Sequence, residues 1–266
     1  MRTTKPGRGR VIALRVVAAI LALIVLVALN VTLILPWIAW LPDRTLLSMG
    51  LPPDDVATWL VIGTAIQLYY TMLLVGVALQ VWRPAGNVAA LWLVILLLGG
   101  FMVDDAVQRD VGDPIWYVLY ALFVSIVALH PRRLAPLRPI DPVAAAVALI
   151  GAVPLAWFAF DELRKQFAQA DPPDNFHFGM ALAAAIAWLG AALGSTALPG
   201  RWFGVAVATA MPVLVGISSI AHPSTTSALS TPWAWAAIAW GLTVLVVNRR
   251  QLFAQRSAQV RVPGPA

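Results

Sequence analysis

The chain has 266 residues, 61% of them hydrophobic and 11% charged, with a formal net charge of +6 and a mean hydropathy of +0.82. Soluble domains carry about 25% charged residues, so this composition excludes a water-soluble globule and points to an integral membrane protein. The lack of cysteine excludes disulfides, thiolate metal ligands and cysteine nucleophiles, and the pI of about 10.5 reads as positive charge gathered on the cytoplasmic face of a bilayer, with no nucleic-acid partner.

A helix rises ~1.5 Å per residue and the hydrocarbon core is ~30 Å thick, so one span takes about 20 residues. Eight apolar runs qualify as candidates: 11–35, 56–82, 87–106, 114–130, 142–161, 177–198, 202–221 and 231–248. They are continuously apolar, without the alternation of barrel strands, so they predict helices. The predicted architecture is an all-α polytopic bundle of about eight spans. It forms a single transmembrane domain, 11–248, between basic tails at 1–10 and 249–266. The first run is too long for a signal peptide, whose apolar core is about 7–15 residues, and is read as the first span.

Charge sets the orientation. Thirteen basic residues fall in the tails and in the turns near Arg83, Arg132, Arg133, Arg138 and Arg201, against four (Arg44, Arg109, Arg164 and Lys165) in the alternate loops. Eleven of the twelve acids fall with the four, and only Asp141 with the thirteen. The positive-inside rule then predicts both termini in the cytoplasm of a bacterial inner membrane. Trp157, Trp233 and Trp235 fall at predicted outer helix ends and Trp82 and Trp202 at inner ends, where indoles prefer the headgroup level.

In chain order, Arg15 lies one turn inside the first span, within reach of the cytoplasmic headgroups. The second span is the most polar: Thr64, Gln67 and Thr71 recur at helical spacing beside Tyr69 and Tyr70, a stripe that either packs against other helices or lines a ligand cavity. The third ends in Asp104 and Asp105, part of an outer loop holding four aspartates within ten residues. The fifth carries Ala144, Ala148, Ala152 and Pro154 and ends in Asp161 and Glu162, with Arg164 and Lys165 close by as cations. The sixth opens with His177 and contains Gly190-x-x-x-Gly194, which permits close helix approach. The seventh contains Pro212 and ends in Ser218, Ser219 and His222. Ser218 and His222 are four apart on one helix, but no third partner or oxyanion donor accompanies them.

The stretch WRPAGNVAALWLVILLLGG, from Trp82 to Gly100, resembles the Arg-Pro-x-x-Asn turn and following span in the membrane halves of bacterial sensor kinases. It departs from them where a Gly-Trp pair would follow, and no kinase domain accompanies it. DNFHFGMALAA, from Asp174 to Ala184, and TTSALSTPWAWAAIAWGLTVLV, from Thr225 to Val246, resemble a group of uncharacterised multi-pass membrane proteins of high-GC Gram-positive bacteria. That resemblance implies a plain multi-helix bundle and carries over no activity, cofactor or catalytic residue.

The leading functional expectation is a non-catalytic, sensor-like or accessory membrane component without a cofactor, acting through partner helices or as a homo-oligomer. Its basic tails would hold anionic lipid headgroups. The rival is a carrier or binder of a small neutral or lipophilic solute, entered from outside near Asp104, Asp161 and His177, with Gln67, Tyr69 and Tyr70 as its floor. A third expectation is an outward divalent-metal site drawn from Asp104, Asp105, Asp161, Glu162, His177 and His222. No Asp, Glu, Lys or His lies near a helix centre, which argues against a proton-coupled pump.

Overall fold

A computed structural model describes residues 8–28, 60–108, 114–130, 141–168 and 176–260, with side chains for all of these except 104–108, 114–116, 176 and 250–260. The described residues form eight α-helices, one short 3₁₀ turn and no strand: α1 (Arg8–Ala28), α2 (Ile62–Trp82), α3 (Val88–Gln108), α4 (Pro114–Leu129), α5 (Pro142–Ala168), α6 (Phe176–Gly194), α7 (Arg201–Ala221) and α8 (Thr231–Val260). Six are long and apolar enough to cross a membrane, whereas the apolar stretches of α3 and α4, Val88–Val103 and Tyr117–Leu129, are shorter. The expected loop 36–55, the run 29–35 and residues 56–59 and 131–140 lie outside the described residues.

Helix contacts follow one pattern twice. In the first half α1 packs on α2, α2 on α3, α3 on α4 and α4 back on α1. The same ring recurs as α5, α6, α7 and α8, and the halves meet through α2 and α3 against α6 and α7. The central four helices make the core, with α1 and α4 on one flank and α5 and α8 on the other. Each half begins at the same end of the bundle, so the relation between the two sets of four helices is parallel. The match lies in the packing and is not visible in residue identity.

Sequence explains the helix ends. Asp141 caps α5, its Oδ1 accepting from the backbone N–H groups of Val143 and Ala144, both at 3.0 Å. Pro142 follows at the first helical position, where no N–H is needed. Arginines of α1 close two other helices: Arg10 donates to the carbonyls of Ala128 (2.6 Å) and Leu129 (3.0 Å), and Arg15 to that of Trp82 (3.2 Å). A cation on the last carbonyls of a helix meets the negative end of its dipole. Arg15 therefore caps α2 as well as reaching the bundle end.

The turn Pro84–Gly86 is held by Asn87, whose Nδ2 donates to the Arg83 carbonyl at 2.9 Å, while Gln80 donates to the Asn87 carbonyl at 3.1 Å. The corresponding turn between α6 and α7 lies against it: the Ala89 N–H donates to the Pro199 carbonyl at 3.1 Å. Gly200 has φ +79°, and a Cβ there would stand 2.7 Å from the Asn87 Cα, so both conformation and space require glycine.

Two expected boundaries shift. The span expected at 142–161 belongs to a helix that runs to Ala168, because Asp161 and Glu162 pair one turn ahead with Lys165 and so hold the helix past its acidic residues. The last helix runs past 248 to Val260, into the segment expected to be a tail.

α6 and α7 cross closely at a pair of glycines. A Cβ on Gly190 would stand 2.6 Å from the Gly204 carbonyl, and one on Gly204 2.8 Å from the Gly190 carbonyl. Gly190→Val is therefore expected to cost about 1–3 kcal/mol by forcing the helices apart. Gly99→Val, where a Cβ meets nothing within 4 Å, should leave thermal unfolding in detergent unchanged. Equal melting temperatures for both variants would refute the crossing.

Candidate functional site

On the α5–α8 flank the packing stripe opens. In α1 the stripe Leu14, Ala18, Leu21 and Val25 is fully buried. In α5 the same spacing buries Ala144, Ala148 and Gly151, then Glu162 and Gln166, but leaves Leu155 and Phe158 between them only half-buried. They face a cleft of about 800 Å3 bounded by α5, α6, α7, α8 and the loop before α8, a size within the ~300–1,000 Å3 of ligand pockets.

The floor is where α5 and α8 meet. The Trp240 indole lies on Gly151, where a Cβ would collide with the ring, and its Nε1 donates to the Val147 carbonyl at 2.9 Å. Alanines 183, 184 and 187 of α6 and Met211 and Val215 of α7 form the back wall. Pro154 and Pro212 also line the cleft, each removing one intrahelical hydrogen bond. Trp157 and Trp233, both largely exposed, stand at the open side. The walls are apolar, and polar groups gather only at one end: Asp161, Glu162, Lys165, Ser227 and Ser230.

Glu162 organises that end. Its side chain is 0% exposed, and it receives three donors: Lys165 Nζ at 2.6 Å on Oε1, and His177 Nδ1 at 2.7 Å and Ser227 Oγ at 2.6 Å on Oε2. Those donors come from α5, α6 and the loop leading to α8. The carboxylate also lies beside the first turn of α6, where helix N–H groups lack partners and negative charge is favoured. Gln166 adds to this by accepting from the Phe178 N–H at 3.2 Å. Ser227 reaches Glu162 from a left-handed backbone, φ 61°, uncommon for a residue other than glycine. Lys165 also bonds Asp161 Oδ2 at 2.9 Å.

Ser227 Oγ lies 3.2 Å from His177 Nδ1, so serine, histidine and carboxylate stand together. In a proton relay the imidazole presents one ring nitrogen to each neighbour. Here Nδ1 alone meets both, and the serine hydroxyl bonds the carboxylate directly. The arrangement is a clamp on a buried charge.

The residues singled out from the sequence divide among several places. Asp161, Glu162 and His177 come together here. Asp104 and Asp105 belong to α3, but their side chains lie outside the described residues. His222 ends α7 within a turn in which its carbonyl accepts from Thr225 Oγ1 at 2.9 Å. Among the described residues no group of three or more His, Asp or Glu is placed to hold a metal ion; beside Glu162 and Asp161 the cation is Lys165. The stripe on α2 borders no part of the cleft. Tyr69 and Tyr70 pack on each other at a centroid distance of 4.7 Å and on Phe101 at 5.7 and 6.4 Å, Thr64 bonds the Leu60 carbonyl at 2.7 Å, Gln67 is half-buried, and Thr71 faces outward. Ser218 likewise donates to the Leu60 carbonyl at 2.7 Å.

Ser227 and Gly151 were not singled out from the sequence. One usable signal was there: the stripe 144-148-151-155-158-162-166 puts Glu162 and Gln166 on the buried face of α5. Nothing local marks Ser227, because its partner is 65 residues away.

Fold and cleft together define a polytopic helical membrane protein with a lateral, apolar pocket capped by polar groups. Comparison of the chain with protein-family models, curated proteins and solved structures gives no match.

Removing Glu162 takes the acceptor from the buried His177 and from Ser227, while half-exposed Lys165 keeps Asp161, so Glu162→Ala is expected to destabilise the fold by about 1–3 kcal/mol. Asp161→Asn, at a half-exposed pair, should cost less than about 1 kcal/mol. Denaturant titration in detergent micelles distinguishes them, and similar midpoints would refute the clamp.

Proposed function

We propose that this protein is a non-catalytic binder or carrier of a lipophilic molecule, which enters its cleft sideways from the bilayer. The observation that carries this reading is the cleft itself: apolar along its length, polar at one end, and open between Trp157 and Trp233. An amphiphile has the same polarity along its length, with a tail for the alanine wall and a head for the outer rim. The floor at Trp240 limits how deep the tail reaches.

The proposed setting is a bacterial cytoplasmic membrane crossed eight times, with both termini inside. Its support is the partition of thirteen basic residues against four between alternate loops. The rim then faces outward and the cleft spans the outer part of the bilayer. The basic tails would add attraction to anionic headgroups of roughly 1 kcal/mol per residue near the surface.

The test is extraction of the tagged protein from its native membrane in mild detergent, followed by mass spectrometry of what is retained. A defined amphiphile is expected with the wild type and is expected to be lost from Ala184→Phe and Ala237→Phe, which fill the cleft from α6 and α8. The same retained lipids in wild type and variants would overturn the reading. A stoichiometric partner protein on an empty cleft would instead support an accessory role through partner helices.

A further inference from the structure

We propose that the molecule held in the cleft carries a positively charged head, an amine or quaternary ammonium, on its apolar tail. The inference rests on the cleft being a ligand site and adds the chemical class of the ligand.

The argument begins with which rim groups are still available. Glu162 is not: both of its oxygens are taken by Lys165, His177 and Ser227. Lys165 bonds both carboxylates, so its charge is balanced within the cluster. Asp161 is about half exposed and meets Lys165 through Oδ2. Lys165 is shared between two carboxylates, and Asp161 is the one with accepting capacity to spare. Arg164, on the same turn, does not line the cleft.

Indoles supply the second argument. Trp157 lies one helical turn before Asp161 on α5, and Trp233 borders the same space from α8. Indole faces attract cations, quaternary ammonium groups above all, and attract them more strongly when the cation is desolvated. Beneath them the walls are apolar, so a head group seated at the indoles is partly desolvated while Asp161 stays within the same rim. A neutral head would gain from neither feature, and an anionic head would meet the carboxylate.

The experiment uses the full chain in nanodiscs of zwitterionic lipid, titrated with three ligands of equal tail: dodecyltrimethylammonium, dodecyl maltoside and dodecyl phosphate. Binding is read as a shift in melting temperature. The expected result is that the ammonium ligand binds wild type about tenfold more tightly than the maltoside, and that Asp161→Asn narrows this to about twofold. Ala184→Phe and Ala237→Phe should each abolish binding of all three. Equal binding of the three by wild type, lost in the filled-cleft variants, would overturn the charge inference and leave the cleft reading standing. So would tightest binding of the phosphate, which would make Lys165 the head-group contact. Binding of none, or binding unaffected by filling the cleft, would remove both readings together.

Discussion

A carboxylate with no exposed surface must find its donors inside the protein, and Glu162 finds them on three separate stretches of chain. Lys165 comes from its own helix, His177 from the next, and Ser227 from a loop that reaches it only by adopting a left-handed backbone. Burying an ionised group is expensive, and the cost is offset only when the partners are well placed. The C-terminal end of α5, the N-terminal end of α6 and the loop before α8 are therefore held at fixed separation. That separation keeps α5 and α8 apart at one end while Trp240 joins them at the other. The wedge between them is the cleft.

The same logic governs the opposite end of the bundle with different chemistry. There the charges are arginines and the acceptors are helix carbonyls. Asn87, Gln80 and Gly200 knit the two central turns into one another, and Arg201 folds back on the Thr196 carbonyl at 2.9 Å. That end is thus closed by many short bonds to backbone. The end around Glu162 rests on one buried side chain, and beside it the cleft opens.

Much of this was legible in the sequence, for a physical reason. Continuous apolar runs fix helices because lipid offers no other partner for backbone polar groups, so the bundle could be read directly. Gly190 marked a close crossing because small residues have few other uses in a membrane helix. The acidic pair at the end of the fifth span was recognised, as was its need for a cation. Its role was not, since that depends on Ser227, and nothing in a serine 65 residues away points to it. The tyrosines at 69 and 70 suggested a cavity because polar aromatics mid-membrane suit either a lining or a core. Their packing on Phe101 places them in the core, a choice made by a neighbouring helix. Asp104 and Asp105 illustrate the reverse: conspicuous in sequence, they are not among the side chains described.

Arg10 has a consequence for how the protein is made. It lies near the start of α1, yet the carbonyls it binds belong to residues 118 and 119 positions later. Until the fourth helix arrives, its guanidinium has only water and headgroups for company. Were that helix to enter the bilayer the other way up, its terminal carbonyls would face the opposite side and Arg10 would stay unmatched. The contact thus acts as an inspection of threading, in which α1 tests how α4 is seated.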